Sequence, residues 1–276
     1  MQVERHKLLQ KVVTNVTRDR YITHNAQQSK PLLVQRKTDN VSKEYSVHNN
    51  KGERQNLPKD CWDIKHIFGN TKSAKYTIYP TLLTDPVDVY CDLETDKGGW
   101  TVIQRHGGAS VDFYRDWDAY RSGFGDIKGD FWLGNDIIHA ITNQSEQRLR
   151  IDLGDWQRFE AYAKYDHFHV DSEPNKYRLT VDFYSGTAGD SFNRLWPEHN
   201  GCFFSTYDHD NDLSFEGNCA QRFQAGFWFS DCFEANLNGP YSNSSRQDSN
   251  NYGIYWVTWH DDENLKFSEM KIRPRR

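Results

Sequence analysis

The chain of 276 residues carries a formal net charge of −5, with 36% hydrophobic and 14% aromatic residues. No apolar run approaches the ~20 residues that a membrane-spanning helix needs, so no membrane span is predicted. The basic residues are scattered without interleaved aromatics, which argues against a nucleic-acid partner.

Residues 1–59 differ from the rest of the chain in charge and aromatic content. They contain 12 Lys/Arg and 5 Asp/Glu, whereas residues 60–276 contain 22 and 34. A basic segment with few aromatic residues cannot offset its ordering entropy by burial. We therefore predict a flexible basic N-terminal arm or stalk over residues 1–59 and one folded domain over residues 60–276. The helical spacing of Leu9, Val12 and Val16 leaves a short oligomerising helix as the alternative.

Residues 100–105 and 134–143 give the first signals of regular structure. Residues 100–105 are β-branched and aromatic-rich and follow two glycines, which predicts a strand. Residues 134–143 predict a helix in which Asn135 is the N-cap. Its apolar face consists of Ile137, Ile138 and Ile141.

Three successive stretches then alternate apolar and polar residues with period two. This pattern predicts an antiparallel sheet with one solvated face. From about residue 185 to 255 the chain is rich in Gly, Asn, Asp and Ser, which predicts a long, mostly irregular region. The fold class is therefore α+β. The apolar members of the three stretches are Leu149, Ile151, Leu153, Phe159, Ala161, Ala163, Tyr165, Tyr177, Leu179, Val181 and Phe183.

Cysteines and sequons favour an oxidising, extracellular compartment and a secreted glycoprotein. No CxxC pair is present, which argues against a structural zinc site. Four of the five cysteines could be bridged, and the residues alone do not decide the pairing. The fifth, Cys202, is either a buried free thiol or an intermolecular bridge. The cysteines are Cys61, Cys91, Cys202, Cys219 and Cys232, and the N-x-[ST] sequons begin at Asn15, Asn40, Asn143 and Asn243.

The stretch from Gly98 to Asp136 resembles the signature of fibrinogen-related domains, as do residues 204–220, residues 236–241, GIYW and the final MKIRP. The resemblance runs from Cys61 to Pro274 in the family's order. It implies a fibrinogen C-terminal globular domain with a central antiparallel sheet, short helices and a loop-rich C-terminal calcium and ligand subdomain. It also implies the disulfides Cys61–Cys91 and Cys219–Cys232, and a binding module rather than an enzyme.

A candidate calcium loop follows in the irregular region. Residues 208–212 place three carboxylates at alternate positions, and Ca²⁺ takes six to eight oxygen ligands of this kind. The resemblance implies Asp210 and Asp212 as side-chain ligands and the backbone carbonyls of Ser214 and Gly217 as further ligands. The alternative interpretation is an acidic, solvated turn.

The chain is most similar to ficolins, tachylectins and invertebrate fibrinogen-related lectins, which bind acetyl groups on microbial surfaces. The resemblance places an acetyl pocket beside the calcium, around the second disulfide. It implies a cis peptide bond between Asp231 and Cys232, with Phe223, Phe233 and Tyr252 as the pocket aromatics. The alternative is that these rings only pack the loops.

The resemblance therefore implies a secreted, calcium-dependent lectin of innate immunity that binds acetylated glycans. It would act as a homo-oligomer, because single sugar contacts are weak and avidity multiplies them. Asp262 and Glu263 stand where ficolins have tyrosines, which keeps open an angiopoietin-like signalling ligand for a cell-surface receptor. Residues 189–191 resemble the nucleophile block of GDSL-type esterases, but no Asp-x-x-His follows Ser191, so an enzyme is not predicted.

Overall fold

The computed structural model describes residues 57–193, 198–245, 253–260 and 263–276. The predicted arm up to residue 56 and the sequons at Asn15 and Asn40 lie outside these residues. The helices are α1 Cys61–His66, α2 Trp117–Ser122, α3 Asn135–Gln144 and α4 Cys219–Arg222, with 3₁₀ turns at Thr95–Lys97 and Glu173–Asn175. The strands are β1 Ala74–Ile78, β2 Val87–Asp92, β3 Trp100–His106, β4 Phe124–Gly125, β5 Phe131–Trp132, β6 Gln147–Gly154, β7 Glu160–Val170, β8 Leu179–Gly186, β9 Ala235–Asn236, β10 Tyr255–Trp256 and β11 Phe267–Pro274.

A central antiparallel sheet organises the domain. Its strand order is β1-β2-β3-β11-β6-β7-β8, with β4 and β5 attached to β3. The last strand, β11, pairs with β3 on one side and with β6 on the other. The predicted strand at 100–105, the three alternating stretches and the α+β class are therefore confirmed. The β11 insertion was not predicted.

The two faces of the sheet follow the sequence alternation. Along β6, Leu149, Ile151 and Leu153 are buried, and Arg150 and Asp152 between them point to the other face. The apolar face packs on α3 and on a cluster of large rings. These fully buried rings include Trp132, Phe168, Phe204, Phe227 and Trp228.

Three predictions of side-chain position were wrong. Gly134 is the N-cap of α3, and Asn135 is its first residue, because the Asn135 side chain accepts a hydrogen bond from Trp132 Nε1 (3.0 Å). Phe159 is 67% exposed because it lies in the turn before β7. Phe183 is 62% exposed, and its φ of 61° interrupts the regular alternation of β8.

An ionic network lies on the outward face of the sheet. Lys271 on β11 is 2% exposed. Its Nζ lies 2.7 Å from Asp92, 2.6 Å from Asp152 and 2.9 Å from Glu269. Burial alone would lower the pKa of Lys271, but the three carboxylates outweigh burial and raise it above its usual value. Two of these carboxylates also bind arginines, at 2.6 Å for Arg105–Glu269 and 2.7 Å for Arg150–Asp152.

The region after β8 is held by side-chain contacts to the backbone more than by regular structure. His199 is fully buried and donates from Nδ1 to the Trp228 carbonyl (2.8 Å). Its Nε2 accepts the backbone N–H groups of Glu234 (3.0 Å) and Ala235 (2.9 Å). Burial lowers the pKa of His199 to about 4, so the ring is neutral at pH 7. One neutral imidazole thus ties both ends of the 229–234 segment.

Candidate ligand and calcium site

Two disulfides join the cysteines as the resemblance implied. Cys61–Cys91 connects α1 to β2, and Cys219–Cys232 connects the start of α4 to the 229–234 segment. Cys202 is a buried free thiol that donates to the Glu198 carbonyl (3.3 Å). Burial raises the pKa of its thiol, which makes Cys202 a poor nucleophile.

The acidic loop brings Asp210 and Asp212 together. Asp212 accepts the backbone N–H of Ser214 at Oδ1 (3.0 Å) and that of Cys219 at Oδ2 (2.8 Å). Burial raises the pKa of Asp212 to about 6, and the neighbouring Asp210 carboxylate raises it as well, while the two backbone N–H groups oppose the shift. The third carboxylate, Asp208, is turned toward α2 and accepts from the Trp117 N–H (3.0 Å).

This carboxylate pair fits a hard divalent cation. In the part of the chain that the structure describes, no lysine or arginine forms an ion pair with Asp210 or Asp212. In the same residues, no three His, Cys, Asp or Glu side chains form a cluster that could hold a metal. Calcium at this pair would therefore need backbone carbonyls and water as its other ligands. Ser214 and Gly217 lie on the same loop, and Gly217 has a φ of 118°.

Aromatic rings cluster near Cys232, the second cysteine of the Cys219–Cys232 disulfide. The Phe223 and Phe233 rings meet edge to face at 4.7 Å between centroids. Phe233 also lies 5.8 Å from the Tyr255 ring and 6.2 Å from the Phe229 ring. Phe223 is buried and Phe233 is half-buried. The predicted pocket residue Tyr252 lies outside the described residues.

The backbone next to these rings presents hydrogen-bond donors. The Asp231–Cys232 peptide bond is cis, as the resemblance implied. The Ser230 N–H donates to the Cys232 carbonyl (2.8 Å) and closes a turn. Within the described ranges, the N–H groups of Cys232 and Phe233 have no acceptor. Two neighbouring N–H groups can donate hydrogen bonds to a carbonyl oxygen, while the apolar rings beside them contact a small apolar group attached to that carbonyl.

Sequence reasoning missed His199, Phe229 and Tyr255 as residues that shape this site. His199 stands in irregular sequence about 30 residues from the segment it ties, and no periodicity marks such a contact. Phe229 and Tyr255 lie in short apolar runs, and such runs are as typical of the hydrophobic core as of a ligand site.

Comparisons with known proteins agree with this architecture. Residues 57–275 match the family described as fibrinogen beta and gamma chains, C-terminal globular domain. Bovine fibrinogen-like protein 1 is 43% identical over 84% of this chain and 76% of its own length. Human fibroleukin is 42% identical over 79% of this chain and 51% of its own length. Fibrinogen C domain-containing protein 1-A of Xenopus laevis is 42% identical over 79% of this chain and 48% of its own length.

Solved structures give the same result. The fibrinogen-like globe domain of human ANGPTL2 superposes with a TM-score of 0.75 at 37% identity, covering 79% of this chain and all of that one. Lamprey fibrin D-dimer, complexed with the peptide ligand Gly-His-Arg-Pro-amide, has a TM-score of 0.73 at 36% identity and covers 83% of this chain and 78% of that one. The chain spans about half the length of several curated relatives that it matches. It belongs to the family of fibrinogen C-terminal globular domains.

Proposed function

We propose that the protein is a secreted extracellular binding module that recognises a protein partner at a cell surface, in the manner of an angiopoietin-like ligand. The N–H groups of Cys232 and Phe233, which have no acceptor among the described residues, carry this proposal, because a partner's carbonyl oxygen could bind to them beside apolar rings. The exposed Asp231 carboxylate adds a position for a partner's amine or guanidinium group. The similarity to the angiopoietin-like globe and to the peptide-bound lamprey structure supports the same choice.

The charge of the folded part favours a basic partner. Residues 60–276 carry 34 acidic and 22 basic side chains. Such an excess steers a positively charged surface toward the domain before contact. A glycan with only acetyl groups would gain nothing from this field.

The Phe233 side chain is expected to carry part of the binding energy. Phe233→Ala removes the ring that meets Phe223, so the affinity for Gly-His-Arg-Pro-amide, used as the probe peptide, should fall about tenfold or more. Isothermal titration measures this affinity. Phe183→Ala, which deletes an exposed ring on β8, is the matched control and should leave affinity unchanged. Equal affinity in both variants would contradict the assignment of the site.

Acetyl recognition is the second candidate, and the same N–H pair favours it, since an acetyl group combines a carbonyl oxygen with a methyl group. Phe223 and Phe233 offer apolar contact to that methyl group. If N-acetylglucosamine resin retains the protein, free acetate releases it and the probe peptide does not bind, the lectin function in innate immunity would be favoured over the receptor-ligand function. Peptide binding without retention would support the receptor-ligand function.

We further propose that Asp210 and Asp212 hold Ca²⁺ with the carbonyls of Ser214 and Gly217. The ion would offset two close carboxylates and fix the loop that leads into Cys219. Asp212→Asn is therefore expected to abolish calcium-dependent stabilisation, which amounts to about 2.7 kcal/mol when free calcium exceeds Kd a hundredfold. Thermal melting with calcium or EDTA measures it. Asp88→Asn, at a surface pair with Lys75, should keep the full response. A calcium response that survives in Asp212→Asn would rule out this ligand.

Secretion, glycosylation and self-association complete the proposal. Two disulfides suit an oxidising compartment, and the sequon residues Asn143 and Asn243 are both exposed. A homo-oligomer would present several weak sites to one surface and so raise avidity.

A further inference from the structure

A groove of about 900 Å³ lies on the outward face of the central sheet. It crosses strands β2, β3, β11, β6 and β7 and ends at the turn between β6 and β7. None of the residues proposed for the ligand or calcium site lines it. We call this surface the sheet groove.

The charges that line the sheet groove nearly balance: the acids are Asp92, Glu94, Asp152, Asp155, Glu160 and Glu269, and the bases are Arg105, Arg150, Arg158, Lys266 and Lys271. Three acids, Asp92, Asp152 and Glu269, face three bases, Lys271, Arg150 and Arg105, through the ion pairs described above. These pairs fix donors and acceptors in place, so little side-chain entropy remains to be lost on binding. The carboxylate oxygens keep lone pairs beyond those already used. Because the ion pairs on the floor compensate one another and the whole lining has a formal net charge of only −1, the groove favours a polar ligand without net charge.

A glycine forms a depression in the sheet groove. Gly154 on β6 pairs with Phe267 on β11 and with Glu160 on β7, so no side chain rises between these two neighbours. Phe159, which is 67% exposed, and the half-buried Phe267 both line the groove. An exposed phenyl ring beside fixed polar groups offers one apolar face and several hydrogen-bonding positions to the same ligand.

We infer that the sheet groove binds a neutral oligosaccharide. Sugar hydroxyls donate and accept, so they match a floor of alternating carboxylates and guanidinium groups. The C–H face of a pyranose ring can lie on Phe159 or Phe267 over Gly154. A peptide offers fewer hydroxyls, and a charged glycan gains no net attraction from a compensated floor. This site is independent of the ligand and calcium site.

Gly154→Val tests this inference because it fills the depression and leaves every charged side chain in place. A Cβ at position 154 would lie 3.4 Å from Phe267 Cβ, an acceptable contact, and valine suits a strand. Cellotetraose, laminaritetraose and maltotetraose, which carry no acetyl group, serve as probes, with tetragalacturonic acid as the acidic comparison. We expect at least one neutral probe to bind with Kd at or below about 1 mM. Gly154→Val should abolish this binding, and Phe159→Ala should weaken it severalfold.

Controls separate this site from the other one. Phe183→Ala, which removes another exposed ring, and Phe233→Ala should both leave the affinity for the neutral probe unchanged, and free acetate should not compete. Thermal melting establishes that Gly154→Val is folded, and Phe159→Ala in an exposed turn provides a second variant if it is not. The inference is overturned if no neutral probe binds, if only the acidic probe binds, or if neither groove variant changes affinity.

Discussion

Replacing Lys271 with methionine is expected to destabilise the domain by about 3–5 kcal/mol. Lys271 Nζ lies within 2.9 Å of three carboxylates, and methionine keeps the unbranched apolar stem but removes the terminal charged nitrogen. Asp92, Asp152 and Glu269 would then repel one another in a partly buried place. Urea unfolding at pH 7 measures the loss.

The pH dependence of the stability lost in Lys271→Met shows whether Lys271 stabilises the domain through its charge or through packing. In the wild type, burial alone would raise the pKa of Asp92, but Lys271 and backbone donors outweigh burial and hold the pKa well below its usual range. The stability that Asp92 contributes is therefore present above its ordinary pKa and is lost as the pH falls below it. Without Lys271 the carboxylates bind protons more readily, so the deficit of Lys271→Met should shrink between pH 7 and pH 5.

Two comparisons test this explanation. Adding Asp152→Asn to Lys271→Met should recover part of the stability, because it removes one of the repelling charges. Lys75→Met, which breaks an exposed pair with Asp88, should cost less than about 1 kcal/mol. A deficit independent of pH, with no recovery in the double variant, would show that Lys271 acts through packing alone.

The stability of the loop-rich subdomain is expected to depend on His199 and on pH. The pKa of this buried ring is about 4 against 6.5 for the free side chain, so the unfolded chain binds more protons between these values. Stability therefore falls as the pH drops through this range. From pH 7 to pH 5, His199 alone should account for about 2 kcal/mol of the loss.

His199→Gln is the variant that isolates this effect, since an amide can still donate to Trp228 and accept one N–H but cannot gain a proton. Its stability at pH 7 should be lower than that of the wild type. The difference in unfolding free energy between the wild type and His199→Gln should be smaller by about 2 kcal/mol at pH 5 than at pH 7, as measured by urea unfolding at both pH values. If the difference in unfolding free energy between the wild type and His199→Gln is the same at both pH values, the low pKa of His199 is contradicted.

Much of the fold could be predicted because its signals are local. The alternation of Leu149, Ile151 and Leu153 with charged residues is a direct consequence of strand geometry. The position of β11 between β3 and β6 could not be predicted, because nothing in residues 267–274 identifies its two partners. Phe159 and Phe183 were misplaced for a related reason, since a turn and a left-handed residue interrupt an alternation that continues in the sequence.

The site was predictable only as far as the family resemblance carried it. The resemblance located the Asp231–Cys232 bond and the Cys219–Cys232 disulfide, and both are present in the structure. Period and composition gave no sign that His199 ties the segment carrying Phe233, because that contact depends on tertiary packing. The sheet groove was equally hidden, since an outward face of charged residues resembles any solvated strand surface.

The position of β11 between β3 and β6 affects how the domain folds during translation. During synthesis β3 and β6 emerge long before residues 267–274, and until then each keeps an open edge toward the gap that β11 later fills. The central sheet is therefore completed only after nearly all of the domain has been translated. A nascent or truncated chain lacking β11 would expose two unpaired strand edges, which invite pairing with other chains. Productive folding thus depends on those edges being shielded until β11 is available.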